Sequence, residues 1–369
     1  MYKRSLCLLS ALLVMTMLLS ACGSTPSGSV SESLEPSVSA FAPSGSTSQE
    51  LPDPGPAYTN PLTGEGTEVD LTANRPVAIM LNNLRKALPQ CGVSQADMIY
   101  EVCAEGGITR MMAVFQSLDG VGSLGSVRSS RAYYVDLAAG LDAIYIHAGG
   151  SDGAYSAIKQ YGVFNIDGVN GPYGGTMFWR DANRRKTAGY EHSLFTSEER
   201  IEKLLSGSLS KMRQTHKEGY SLPLSFGEDG TPNGSDANTI SIRFSQYKTG
   251  VFTYAPQSKT YLVSQKVDGK DGPYMDGNND QQVAVTNVLV LCTDISRIPG
   301  DTAGRLDVRL TGSGDGWFAC GGKYIPITWS KASANEAFRF TAADGQELEL
   351  GVGKTYINIV DDSDPVTFG

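Results

Sequence analysis

Four arginines, one histidine and a glycine turn are the groups best suited to do chemistry in this chain. Arg128 and Arg131 stand three apart, so on a helix they would share a face. With Ser126 as its cap, both would lie near the N-terminal end, where free backbone N–H groups also attract anions. Gly149-Gly150-Ser151 has the pattern of a second strand–turn–helix start. Arg110, Arg128, Arg131 and Arg180 are therefore expected to line one pocket with His147, Gly149, Gly150 and Ser151. Arginine forks match the paired oxygens of a carboxylate or phosphate, so the expected ligand is an anion. The competing reading pairs these arginines internally with Glu101, Glu105, Asp136 and Asp142.

Two catalytic readings start from the same stretch. Gly149-Gly-Ser-Asp-Gly153 fits G-x-S-x-G between a strand and a helix, which would make Ser151 a nucleophile served by His192 or His216. The chain then turns to strands, without the further βα units such a hydrolase needs before its histidine. Glu101 with His147 is the second candidate, as an acid–base pair. Gly120-Val-Gly-Ser-Leu-Gly125 fits a dinucleotide fingerprint, but an isolated match carries little weight, and a loop is expected. None of the three histidines has zinc spacing to another, and Asp276, Asn278, Asn279 and Asp280 lack the spacing of a calcium loop. No metal and no cofactor are expected.

The positioning elements follow from patterning. Pro76 to Leu81 reads as a buried strand. Met98 to Ala104 and Ile108 to Gln116 read as two strands joined at Glu105-Gly106-Gly107, whose glycines supply the positive φ of a tight hairpin. Ser129 to Ala139 reads as a helix, Ala143 to His147 as a strand, and Asp152 to Tyr161 as a helix. Thr196 to Ser206 reads as a helix with Thr196 and Glu199 at capping-box spacing. After a Gly/Asp/Asn/Pro-rich boundary within 227–238, eight short β-branched and aromatic runs read as strands. Cys320-Gly-Gly-Lys323 reads as a hairpin turn. The fold class expected is a mixed α/β domain over 58–226 followed by a β-rich domain over 239–369.

Arg75-Pro-Val-Ala-Ile-Met-Leu-Asn-Asn83, Gln95 to Glu101, Glu105 to Arg110, Ser126 to Arg131, His147 to Ser151 and Phe178-Trp-Arg180 together resemble the YerB-like lipoproteins. Gly316-Trp317, Trp329-Ser-Lys331 and Gly353-Lys-Thr-Tyr356 fit that family's second domain more loosely. The resemblance covers nearly everything after Asn60 and implies a cell-envelope lipoprotein, not a reaction. The chain departs from the family pattern at Asn82, where the family has Asp, and at Glu191-His192-Ser193, where it tends to Pro-His-Asn.

The beginning of the chain agrees with that implication. Lys3 and Arg4 precede an apolar run, Leu6 to Leu19, too short to span a bilayer comfortably, and Leu19-Ser-Ala-Cys22 closes it. Residues 1–21 read as a lipoprotein signal peptide and Cys22 as the lipidated residue. Residues 22–57 read as a tether, because ten Ser, six Pro and four Gly in the 35 residues from Gly23 to Ala57 leave too little apolar surface to fold. The expected address is the extracytoplasmic face of the cell membrane. Export permits disulfides among Cys91, Cys103, Cys292 and Cys320, one pair in each half being simplest and buried free thiols the alternative. A net charge of −9, with no Lys/Arg block of the phosphate-binding kind read in the chain, argues against nucleic acid or anionic lipid as partner. The expected function is non-catalytic binding of an envelope protein or cell-wall fragment. An envelope hydrolase is the alternative.

Overall fold

The computed structural model describes residues 55–369. The signal segment, Cys22 and all but the end of the tether lie outside the described residues.

The strands that matter are β1 (Val77–Asn82), β2 (Met98–Cys103), β3 (Thr109–Phe115), β4 (Ile144–His147), β5 (Asn165–Asp167), β6 (Leu194–Ser197), β7 (Thr239–Arg243), β8 (Lys248–Ala255), β9 (Thr260–Val267), β10 (Asn287–Thr293), β11 (Gly312–Cys320), β12 (Lys323–Lys331) and β13 (Thr355–Asp361). The α-helices are α1 (Ala132–Gly140), α2 (Asp152–Tyr161), α3 (Ala182–Thr187) and α4 (Glu198–Ser206). Beyond Ser206 the regular elements are all strands. The β-rich second half is therefore as its sequence reads.

The largest sheet has eleven strands, among which β12, β11, β10, β13, β2, β3, β1, β4 and β5 lie side by side. β13 is hydrogen-bonded in parallel to both β10 and β2. The last long strand of the chain thus lies beside a strand some 250 residues earlier (Ile357 pairs with Tyr100). The two halves share a sheet rather than facing each other as separate bodies. The 227–238 stretch is itself pinned, since 225–227 pairs with 349–351 and 235–236 with 323–324.

Layers cover both faces of β1 to β4, which is why β1 reads as an unbroken apolar run and is buried at every residue. Ala78, Met80, Tyr100 and Met112 face α1 and α2. Ile79, Leu81, Ile99 and Met111 face a second sheet built on β7, β8 and β9, with Ile201 and Leu204 of α4 in the same core. The β2–β3 turn has Gly106 at φ 74° and Gly107 at φ 75°, and the β11–β12 turn has Gly321 at φ 60° and Gly322 at φ 78°. Both hairpins rest on glycine for the reason the sequence suggested.

Three local readings are corrected. α1 begins at Ala132, not Ser129, and Arg131 is its N-cap residue without a side-chain cap. Ser126 does not cap α1: its backbone N–H donates to Gln90 Oε1, and its buried hydroxyl has no partner among the described residues. α4 is capped by Ser197, which accepts from Arg200 N–H, while Thr196 sits in β6 and its hydroxyl donates to the Met177 carbonyl. Among the described residues Cys91, Cys103, Cys292 and Cys320 are all free thiols, so the disulfide expected within each half is not formed.

Candidate functional site

The arginines come together through a wedge rather than a helix. Past Ile79 and Ile146 the parallel strands β1 and β4 stop pairing directly. Residues 126–130 fill the gap as an extended segment. Asn82 N–H donates to Ser126 O and Arg128 N–H to Met80 O on one side, while Ala148 N–H donates to Arg128 O on the other. The wedge therefore lies at the carboxyl ends of β1 and β4, where sheets of this kind bind ligands. Asn82 pairs in register with Arg110, so β3 delivers a second arginine to the same edge.

The charges of Arg131 and Arg128 both act on Arg110, but the three guanidiniums are served unequally. Glu105 lies between Arg110 and Arg131. Arg110 Nη2 donates to its Oε1 at 2.8 Å, Arg131 Nε donates to its Oε2 at 3.0 Å, and Arg131 Nη2 donates to Oε1 as well. Burial alone would raise the Glu105 pKa, but the two guanidiniums hold it down at about 2. Arg131 is fully engaged, its Nη1 donating to Ser130 O at 2.7 Å. Arg110 gives Nη1 to Ser129 O at 3.1 Å, and its buried Nε has no partner among the described residues. Arg128 gives Nη2 to Glu191 Oε2 at 2.8 Å, and its Nε too is buried and unpartnered. The two ends of that ion pair differ greatly: the Arg128 side chain is 16% exposed and that of Glu191 69%. Of the internal partners expected, Glu105 alone takes these arginines. Glu101 pairs with Lys248, Asp136 with Lys331, and Asp142 with Arg75 and Arg213.

His192, not His147, stands at this cluster. Asn82 Oδ1 accepts Leu84 N–H at 3.0 Å, which makes its Nδ2 the donor facing His192 Nδ1 at 2.9 Å. The neutral imidazole must then carry its proton on Nε2. Burial, and then the Arg128 charge, lower the His192 pKa, so neutral is its ordinary state. His192 therefore presents an N–H rather than a basic nitrogen. Asn82 and His192, 110 residues apart in sequence, thus meet here in space.

The remaining predicted residues belong elsewhere. His147 is fully buried on the other side of the wedge, its Nδ1 2.9 Å from Gly149 O and its Nε2 3.1 Å from Asn165 Oδ1, stacked on Tyr145. Gly149 N–H is taken by Asp167 Oδ1 at 2.8 Å and Ser151 N–H by Ser130 O, so this turn offers neither donor to an anion. Ser151 Oγ accepts Ala154 N–H as the cap of α2. That is a structural job, and no histidine bonds it among the described residues. Glu101 and His147 are separated by β3 and β1, roughly 14 Å at the usual strand spacing, and they lie on opposite faces of the sheet. They are no acid–base pair. Arg180 stands apart over the Tyr190 ring, 3.8 Å from its centroid, with Nη1 donating to Tyr190 O. Asp276 is fully buried, and its oxygens accept from Gly92, Ser94 and Asn278, pinning the second sheet to the first.

Sequence reading passed over one group. Arg184-Arg185-Lys186 on α3 is a run of three bases. Arg184 donates to the carbonyls of Ala87 and Pro89, which sets α3 against the exposed Arg85 and Lys86. The net charge of the whole chain hid this local patch, and the run itself was the available signal.

Two family models match the chain: the Protein of unknown function (DUF3048) N-terminal domain over residues 62–212, and its C-terminal domain over 240–357. A curated relative, "Putative lipoprotein YerB" of Bacillus subtilis (strain 168), is 31% identical over 315 residues, 85% of this chain and 89% of the relative. The crystal structure of YerB protein from Bacillus subtilis matches with a TM-score of 0.71 at 30% identity, covering 84% of this chain and 99% of that one.

Proposed function

The chain belongs to the DUF3048 family, and from that premise we propose that it is a lipid-anchored binding protein of the outer membrane face that holds an anionic group at Arg128. The ligand class is a carboxylate or phosphate borne by an envelope protein or a cell-wall fragment. The relative's description as a putative lipoprotein supports Cys22 as the anchor. One observation carries the binding reading: three guanidiniums share two carboxylates, and the one on Arg128, Glu191, sits on the surface. An arriving anion replaces that exposed carboxylate without disturbing the half-buried Glu105 clamp. The His192 Nε2–H adds a donor where a hydrolase would need a base.

The test is a titration of the folded protein with inorganic phosphate, followed through the arginine Nε–H resonances. Arg128 Nε–H should shift first. Glu191→Gln should tighten binding up to about fivefold, since an exposed ion pair holds at most ~1 kcal/mol. A response spread evenly over all arginines, with Arg128 silent, removes the site.

A further inference from the structure

The surface around Arg128 is basic well beyond that one residue. Arg180 and Arg185 both lie against the ring of Tyr190, at 3.8 and 5.5 Å from its centroid, and Tyr190 directly precedes Glu191. Lys86 and Arg128 both act on His192. Arg185, Lys186, Arg85 and Lys86 are all exposed. Few acids answer them. Asp181 is spent capping α3, accepting Arg184 N–H at 2.6 Å, and Asp268 reaches Arg85 only at 4.0 Å between exposed side chains. Glu191 on Arg128 is a third acid beside these bases, and the bases still outnumber the acids, on a chain of net charge −9.

From this charge complementarity we infer that the face formed by α3 and residues 85–86 binds a flexible polymer bearing repeated phosphate diesters, one of which enters at Arg128. The inference rests on the anion reading of Arg128 and extends it to a ligand class. A flexible polymer suits the site better than a membrane surface. Arg128 is recessed, and a planar layer of headgroups reaches a recessed guanidinium poorly. Tyr190, the large exposed side chain at the centre of the face, is occupied by arginines rather than free to insert into lipid. Repeated charges along one chain also convert weak single contacts into a strong sum, with a steep salt dependence.

The experiment uses the full lipidated chain in neutral phosphatidylcholine nanodiscs. Its probes are poly(glycerol phosphate), glycerol 2-phosphate, and separate vesicles containing phosphatidylglycerol. The polymer should bind at least about tenfold tighter per site than the monomer, since each added phosphate contact releases counterions. Arg185→Glu with Lys186→Glu should abolish that advantage, reduce the salt slope by roughly two and leave monomer affinity unchanged. Both positions are exposed, and unchanged circular dichroism confirms the fold. Polymer binding untouched by the pair overturns the inference. So does capture of phosphatidylglycerol vesicles without polymer binding. Arg128→Gln separates the two readings. Monomer binding lost in Arg128→Gln, beside an α3 variant whose polymer binding is unchanged, leaves the anion site standing and removes the face. Unchanged monomer binding in Arg128→Gln, beside a sensitive α3 variant, removes the Arg128 assignment.

Discussion

Replacing Lys248 by Met should be among the most damaging single changes the chain can suffer. Lys248 opens β8 in the second sheet, and its Nζ lies 3.0 Å from Glu101 Oε1, with the two side chains 2% and 1% exposed. The same Oε1 accepts from Thr109 Oγ1 at 2.5 Å and Asn83 Nδ2 at 2.8 Å, and Oε2 accepts from Tyr356 OH at 2.6 Å. Lys248 Nζ also donates to Gln265 Oε1 at 2.5 Å. Removing the ammonium strands a buried carboxylate, which typically costs about 3–5 kcal/mol. Three neutral donors remain on Glu101, so the lower end, ~3 kcal/mol, applies, a large part of a usual folding stability of roughly 5–15 kcal/mol. Urea unfolding at neutral pH measures it. The double variant Lys248→Met, Glu101→Gln should recover most of the loss, because replacing both charges removes the burial penalty along with the attraction. A single-variant cost under about 1 kcal/mol, or a double variant worse than either single, would refute the reasoning.

Three further outcomes are expected. Asn82→Asp should move the His192 proton from Nε2 to Nδ1, read from the imidazole ¹⁵N shifts, and an unchanged tautomer would mean that Asn82 does not set it. Gly321→Ala should destabilise by about 1–2 kcal/mol from the left-handed backbone alone, and by more because its Cβ would collide with Thr231 Oγ1. Gly345→Ala, at φ +84° with nothing within 4 Å, isolates the backbone share, and equal losses at the two sites would remove the packing argument. Asp97 accepts from Asn60 Nδ2 and Gln116 N–H, yet burial pushes its pKa up to about 6. Its proton-linked stability is complete below the unfolded value, near 3.8, and is lost as pH rises through about 6. That loss is of the order of 2–3 kcal/mol. A carboxyl ¹³C titration with its midpoint near 4 would contradict this.

Short-range signals carried much of the fold. The β2–β3 hairpin, the glycine turn before Lys323 and α2 lie where apolar runs and turn residues place them, because each depends on neighbours in sequence. The parallel pairing of β13 with β2 does not, and no local pattern announces a partner so far away. The same limit applies to Glu101, whose counter-ion Lys248 lies 147 residues on and is itself in a strand with ordinary alternation. At the arginine cluster the residue types were legible but the scaffold was not. Three-residue spacing suggested a helical face, whereas Val127 and Arg128 are extended because Val127 N–H donates to Leu194 O of β6, Arg128 N–H donates to Met80 O of β1, and Arg128 O accepts from Ala148 N–H just past β4. His147 was the conspicuous histidine at a strand end. His192, beyond a glycine loop, arrives at the site only through tertiary packing.

The end of β1 joins what the sequence keeps apart. Asn82 and Asn83 are adjacent, and strand geometry sends their side chains to opposite faces. Asn82 holds the His192 ring at the arginine edge, while Asn83 donates to Glu101 in the buried pair with Lys248. Tyr356 of β13 closes on the same carboxylate. The surface site is thus braced from beneath by a charge network that draws on both family segments. Such bracing would lower the ordering cost of the anion binding proposed above, because Arg110 and His192 are already held in place. It also explains why one sheet serves both segments. A hinge between them would pull Lys248 and Tyr356 away from Glu101 and expose a buried charge, a cost that a few surface contacts to a ligand could not offset.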